Sequence, residues 1–161
     1  MEESFEKVRH LLGHVPHVAI ATVNEDGTPH NTPVFGTFNN KLHLFWASDP
    51  GVRHSQNIRR SGEAFVVIFD SHGGGDGLYM AGRAEEINDA AHLDYAHALM
   101  VEAKARFGGS VGSRERYEGE ASQRFYRFIP EAAWMHYAVK DADGYFITDR
   151  RISVSLDELT L

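Results

Sequence analysis

The sequence predicts a single α+β domain over residues 1–161, mainly β, in which helices pack outside an antiparallel barrel. Three observations predict this class. The 161 residues suffice for one domain with a substantial core. About seven β segments and three amphipathic helical segments can be read along the chain. Most of the strands are joined by short turns, which favours antiparallel pairing over a doubly wound parallel sheet.

The N-terminal part is expected to form a helix followed by a three-stranded meander. Ser4 is a suitable N-cap for a helix over residues 4–14, and Pro16 ends it. Strands are predicted at 17–23, 29–38 and 41–47. Pro33 cannot donate to a ladder, so we expect it at a sheet edge, at a bulge, or where a ligand replaces the neighbouring strand.

The remaining elements alternate between helices and strands. A short helix from Asp49–Pro50 to Arg60 precedes a strand over 63–70, which we expect to be buried on both faces. A long helix over 90–107 is capped by Asn88 or Asp89. The other predicted segments are a flexible loop over 71–77, strands at 78–87, 123–129, 133–139 and 145–154, and a final helical turn over 155–161.

Composition and charge exclude several classes of protein. The net charge of −7 argues against nucleic acid or an anionic membrane as a partner, since both favour a broad basic surface. The absence of cysteine excludes disulfide frameworks, thiolate metal sites and cysteine nucleophiles. The acidic N-terminus lacks the layout of a signal peptide, so a cytoplasmic location is expected. No metal site is expected either, because His10 and His14 fit the polar face of an amphipathic helix.

One segment of this acidic chain is basic and indicates an anionic ligand. Between Gly27 and Gly62 the only acid is Asp49, whereas four lysines and arginines lie there. First turns of helices normally favour acids because of the helix dipole, yet Arg53 and His54 stand near the start of the predicted helix. Backbone amides, the Ser48 hydroxyl and a guanidinium would together form a phosphate site. The alternative is a surface helix with solvated arginines.

An ordered set of short motifs resembles the pyridoxamine 5′-phosphate oxidase-like flavin-binding family. The motifs are AIATV (19–23), DGTPH (26–30), TPV (32–34), FWAS (45–48), RHSQNI (53–58) and MAGRAE (80–85). The resemblance implies a split β-barrel, a homodimer, and FMN, or in some branches the deazaflavin F420, bound between the two subunits.

The resemblance also implies a role for individual residues. It places Thr32, Pro33 and Val34 along the flavin edge and ribityl chain, and Ser48 at the phosphate. Arg53 and His54 fall on a basic pair that is usually Arg-Lys. Trp134 is a candidate for the flavin ring or the dimer seam. Thr32 stands where the named oxidase has an arginine for the phosphate. Since His54 is charged only when protonated, flavin retention is expected to fall as the pH rises through neutrality.

The function that follows is an FMN-dependent oxidoreductase of unknown substrate. The C-terminal Arg-x-His-Asp-Arg run of true pyridoxamine phosphate oxidases is not present, which argues against that reaction. Two alternatives stay open: a flavin-binding carrier or sensor without turnover, and an F420-dependent reductase. The acidic tail of F420 would need a basic groove, for which the sequence offers Lys104, Arg106, Arg114 and Arg116.

Overall fold

A computed structural model describes residues 2–72 and 76–159, with side chains from residue 5 onward. Helix α1 begins at Glu2, so Ser4 lies within the helix and is not its N-cap as predicted. Parts of the expected 71–77 loop and 155–161 turn lie outside the described residues. Helices are α1 (Glu2–His14), α2 (Arg53–Ser61) and α3 (Ala90–Phe107), with a 3₁₀ helix at Arg114–Tyr117. Strands are β1 (His17–Val23), β2 (Pro29–Phe38), β3 (Leu44–Ser48), β4 (Glu63–Phe69), β5 (Gly77–Glu86), β6 (Arg124–Lys140) and β7 (Phe146–Val154).

The seven strands form one antiparallel sheet that closes on itself. Their order is β3-β2-β1-β4-β5-β6-β7, and β3 additionally pairs with β6. Six strands therefore form a ring, and β7 extends the sheet beyond it as the partner of β6. Helices α2 and α3 pack against this ring, and α1 packs beside β4 and β5. The predicted class, an antiparallel α+β fold with outer helices, is confirmed.

The pairing of β2 with β3 is short and leaves an opening between them. Only Gly36–Phe38 pair with Leu44–Trp46, so the outer edge of β2 before Gly36 has no strand partner within the described residues. Pro33 lies on this edge, exposed, and faces Ala19 of β1 across the opposite ladder. Its missing N–H therefore disrupts no ladder bond on the open side. The expectation that Pro33 lies at a sheet edge is confirmed.

Two element starts differ from the sequence-based prediction. Helix α2 begins at Arg53, because Asp49 accepts a hydrogen bond of 2.6 Å from the Gly51 amide and holds residues 49–52 in a turn. Ser48 is consequently the last residue of β3, and no helix starts at it. Strand β3 begins at Leu44, since Leu42 adopts a φ of 60° in the preceding turn.

Two strand predictions were also wrong. The segments 123–129 and 133–139 form one continuous strand, β6, which passes through Pro130 opposite a register shift at Ala81 and Gly82. Gly82 permits this close approach, because a Cβ there would lie 2.9 Å from the Pro130 Cα. Strand β4 is not buried on both faces: its side chains alternate between fully and partly covered positions.

The core fills the inside of the ring and continues under α3. Alternate residues of the strands point inward, as the period of two requires. The largest fully buried side chains are Trp46, Tyr126, Phe45, Phe125 and Phe128. The predicted apolar stripe of α3 is confirmed: Leu93, Ala96, Met100 and Ala103 are buried, and Leu99 and Phe107 are half-buried. Asp89 caps this helix by accepting a hydrogen bond from the His92 amide.

Candidate functional site

The opening between β2 and β3 is bordered by the end of β3 and the start of α2. Ser48 ends β3, and Arg53 begins α2 five residues later. The N-cap of α2 is Val52, whose side chain makes no capping hydrogen bond. Nor is there an acid in the first turn. The positive end of the α2 dipole therefore lies close to the Ser48 hydroxyl, without the usual acidic or hydroxyl-bearing cap.

Ser48 and His54 are joined directly. The Ser48 Oγ lies 2.8 Å from the His54 Nε2. His54 is only 6% exposed, and this burial, followed by the charge of His30, lowers its pKa below 6.5. Both effects favour the neutral imidazole, so any fall of flavin retention with rising pH through His54 titration is shifted to lower pH than the neutral range that the sequence suggested.

The basic residues of α2 differ in what they contact. The Arg59 Nε lies 3.2 Å from a Glu86 carboxylate oxygen, and this guanidinium also donates to the Pro50 carbonyl. Arg60 donates to the Val23 carbonyl at the end of β1. These two arginines attach α2 to the sheet. Arg53 is exposed and borders a cavity formed with the β1–β2 turn, where it acts electrostatically on Asp26. Of these three arginines, Arg53 is the one available to an anion.

A buried amide, which the sequence did not single out, fixes the position of α2. The Asn57 Nδ2 donates to the Thr22 Oγ1 and to the Asn24 Oδ1, both at 3.0 Å. Asn57 is 4% exposed and Thr22 is 3% exposed. Their bond ties the helix that carries Arg53 and His54 to β1. An asparagine on the core-facing side of a short helix is the signal that could have identified it.

The β2 residues expected along the flavin lie on two faces of the strand. Thr32 and Val34 are opposite Ile20 and Val18 and therefore point inward with them. Val34 is buried in the core, so its backbone alone borders the opening, whereas Thr32 is half-buried. His30 lies on the same inward face, opposite Thr22 of β1, and its charge contributes to the lowered pKa of His54. Sequence reasoning missed His30, although its spacing of two from Thr32 could have indicated it.

Trp134 lies on β6, away from Ser48. Ser48 pairs with Arg124, and Trp134 follows Arg124 by ten residues along β6. At about 3.3 Å per residue this stretch of strand is roughly 30 Å long, which is an upper limit on the distance between them. Around the sheet, Trp134 and Pro33 are four strand pairings apart, through Tyr79, Val67 and Ala19. Trp134 instead stacks on Phe65, with ring centroids 6.5 Å apart. The structure therefore joins Ser48 to His54 beside the opening, places Arg53 next to His54 in the first turn of α2 with its side chain at the β1–β2 turn, and places Trp134 elsewhere.

Neither a cluster of metal ligands nor a membrane-spanning helix is found among the described residues. Within residues 2–72 and 76–159, no group of three or more histidines, cysteines, aspartates or glutamates could hold a metal ion. No helix in this part of the chain is long and apolar enough to cross a membrane. His10 and His14 stack on each other with ring centroids 4.4 Å apart.

Comparison with known families agrees with the motifs around this opening. The sequence profile described as pyridoxamine 5′-phosphate oxidase matches residues 4–150, nearly the whole chain. The chain belongs to this family. No curated protein matches the sequence significantly. The match includes β2, the end of β3 and α2, so the candidate site lies within the part of the chain that defines the pyridoxamine 5′-phosphate oxidase family.

Solved structures share the fold at low sequence identity. A Clostridium acetobutylicum protein related to general stress protein 26, of the pyridoxinephosphate oxidase family, has a TM-score of 0.69 and 14% identity, with 99% of each chain covered. A heme binding protein from Mycobacterium smegmatis has a TM-score of 0.69 and 16% identity, covering 97% of this chain and 59% of that one. An F420 reductase has a TM-score of 0.60 and 19% identity, covering 78% and 94%. These identities establish the fold alone.

Proposed function

We propose that this protein is an FMN-binding oxidoreductase that acts as a homodimer, with the phosphate of FMN held at the start of α2. The observation that supports the proposal is the contact of Ser48 with His54 in the first turn of α2, a helix that begins at Arg53 and has neither a side-chain cap nor an acid in its first turn. A phosphate monoester is the chemical group that such a combination of hydroxyl, guanidinium and helix amides binds best.

The donor set of the site fits a phosphate group. Ser48 is half-buried at the end of β3, and Arg53 is exposed at the first position of α2. The nearby acid Asp49 keeps its negative charge, although one of its carboxylate oxygens accepts the Gly51 amide at 2.6 Å. Glu25 and Asp26 line the cavity beside Arg53, so the guanidinium of Arg53 also offsets their charge.

Two of the four cations that the sequence offered for the acidic tail of F420 already have partners within the chain. A long acidic tail would require free cations, and the sequence offered Lys104 and Arg114 among them. The Lys104 Nζ lies 3.4 Å from the centroid of the Phe35 ring. The Arg114 guanidinium is paired with Asp94 and, at 2.6 Å, with Glu118. Both cations are thus engaged within the chain. The F420 reductase among the structural neighbours keeps F420 as the second candidate.

FMN, when bound, would supply the hydride chemistry, and the polypeptide would bind and orient it. Ser48 and Arg53 would hold the phosphate end. The open edge of β2 near Thr32 and Pro33 would lie along the rest of the cofactor, where backbone groups without a strand partner can bond to a ligand. The substrate and the electron donor would approach from the exposed side of this edge.

The proposed homodimer is supported by an exposed apolar surface. The hairpin of β6 and β7 exposes large apolar side chains, which are often covered by a partner. They are Tyr137, Tyr145, Phe146, Ile147 and Ile152, with 44–72% of each side chain exposed.

Titration with three flavins tests the proposal. FMN is expected to bind at least ten times more tightly than riboflavin, which lacks the phosphate, and more tightly than F420. Sedimentation of the FMN complex should give twice the mass of one chain. Bleaching of bound FMN by NADPH or NADH would favour the enzyme over a carrier or sensor. Equal affinity for FMN and riboflavin would reject the phosphate site, and binding of F420 alone would replace the cofactor.

A further inference from the structure

We infer that His54 is a positioning residue: its Nε2–H holds the Ser48 oxygen so that the Ser48 hydroxyl hydrogen points at the cofactor phosphate. This inference rests on the proposed function, since it assigns a role within the same phosphate site. The inference concerns the orientation of the Ser48 hydroxyl toward an anion. It gives His54 a role different from the direct phosphate contact of the usual Arg-Lys pair.

The geometry of the pair carries the inference. The Ser48 Oγ and the His54 Nε2 are 2.8 Å apart, a normal hydrogen bond between them. A hydroxyl has one hydrogen and two lone pairs, so it can either donate to the imidazole or accept from it. If it donates, its lone pairs face the ligand and repel phosphate oxygens. If it accepts, its hydrogen is free to donate to the phosphate.

The burial of His54 explains why it acts through Ser48. His54 is 6% exposed, whereas Ser48 is half-buried and Arg53 is exposed. The imidazole thus stands behind the hydroxyl, with its Nε2 already occupied by Ser48. Burial also keeps the ring neutral by lowering its pKa, so that one ring nitrogen carries a hydrogen and the other does not. An anion in front of Ser48 favours the tautomer in which Nε2 carries the hydrogen, because the Ser48 hydroxyl can then donate to the anion.

Two substitutions at His54 test this role. Glutamine has an amide nitrogen that can take the place of Nε2 and donate to Ser48, whereas leucine fills the space without a donor. We expect His54→Leu to weaken FMN binding about tenfold and to leave riboflavin binding within twofold, because riboflavin has no phosphate. His54→Gln should restore most of the FMN affinity. In a Ser48→Ala background, His54→Leu should cause no further loss, since the hydroxyl that it positions is gone.

A measurement on the wild-type protein makes the test independent of how the variants fold. Nitrogen-15 NMR of the His54 ring should show Nε2 protonated and Nδ1 unprotonated in the FMN complex. An Nδ1-protonated or doubly protonated ring would overturn the inference. So would a His54→Leu protein that keeps the wild-type ratio of FMN to riboflavin affinity. If the wild-type protein binds FMN and riboflavin with equal affinity, the phosphate site itself is rejected, and with it the role of His54.

Discussion

Replacing Arg53 with alanine tests the phosphate site most directly. Arg53 is the first residue of α2 and is exposed beside the β1–β2 turn. A charge-assisted hydrogen bond contributes about 1.5–3 kcal/mol, and solvent screening at an exposed position favours the lower half of that range. We therefore expect Arg53→Ala to weaken FMN binding roughly 10- to 30-fold.

The neighbouring acid adds to this loss. The pKa of Asp26 is lowered chiefly by hydrogen bonds from the Thr28 side chain and backbone, and only lastly by Arg53. Asp26 therefore stays ionised when Arg53 is removed, and its charge then repels the phosphate without compensation. The effect of Arg53→Ala should for this reason be larger at low salt than at high salt.

Fluorescence titration with FMN and riboflavin at two salt concentrations measures the effect. Riboflavin affinity should stay within twofold of wild type, because in the proposed site Arg53 contacts only the phosphate. Arg9→Ala, which removes an exposed arginine from α1, is the matched charge control and should leave FMN affinity unchanged. The placement of Arg53 at the phosphate would be refuted if the Arg53→Ala protein bound FMN as tightly as wild type. It would also be refuted if the affinities for riboflavin and FMN fell by the same factor.

The remaining predictions concern stability. Asn57→Ala removes two hydrogen bonds and leaves the buried Thr22 hydroxyl without its Asn57 partner. Urea denaturation should therefore show that the free energy of unfolding falls by about 2–4 kcal/mol, and a fall of less than about 0.5 kcal/mol would contradict this role. Gly82→Ala should destabilise by about 3 kcal/mol or prevent folding, because its Cβ would collide with the β6 backbone, whereas Gly13→Ala meets open space and should not destabilise. Burial, followed by the charge of His30, lowers the pKa of His54 below 6.5, so the unfolded chain binds its proton first and stability is lost as the pH falls below about 6.5. The loss of stability at low pH should be smaller in the His54→Gln protein. If this variant and the wild type show the same dependence of Tm on pH, the expected contribution of His54 is refuted.

Local patterns were enough to locate the strands that form the opening. The apolar β-branched run at 17–23 and the turn after it define β1 and the start of β2 with the bounds that the structure has. The missing N–H of Pro33 limited its placement to a sheet edge, a bulge or a ligand-covered position, and the structure has it at the edge of β2 that lacks a strand partner. These features depend on neighbours in sequence, which is why they could be predicted.

Features that depend on distant contacts could not be predicted. The sequence shows Arg53, Arg59 and Arg60 as equivalent cations, but Glu86 of β5 and the Val23 carbonyl engage the last two. Likewise, the continuity of β6 through Pro130 depends on Gly82 of the neighbouring strand. The neutral state of His54 follows from its burial, which no local pattern indicates.

The charge that faces the phosphate is smaller than the sequence suggests, and this determines which interactions matter most. A monoester phosphate carries nearly two negative charges at pH 7. In the proposed site, one exposed guanidinium, of Arg53, and the dipole of α2 would face it, because burial lowers the pKa of His54 and the family resemblance puts Thr32 where the named oxidase has an arginine. Directional hydrogen bonds would then supply more of the affinity than in a site with several cations. The orientation of the Ser48 hydroxyl, which lies 2.8 Å from the His54 Nε2, would become a principal determinant of FMN affinity.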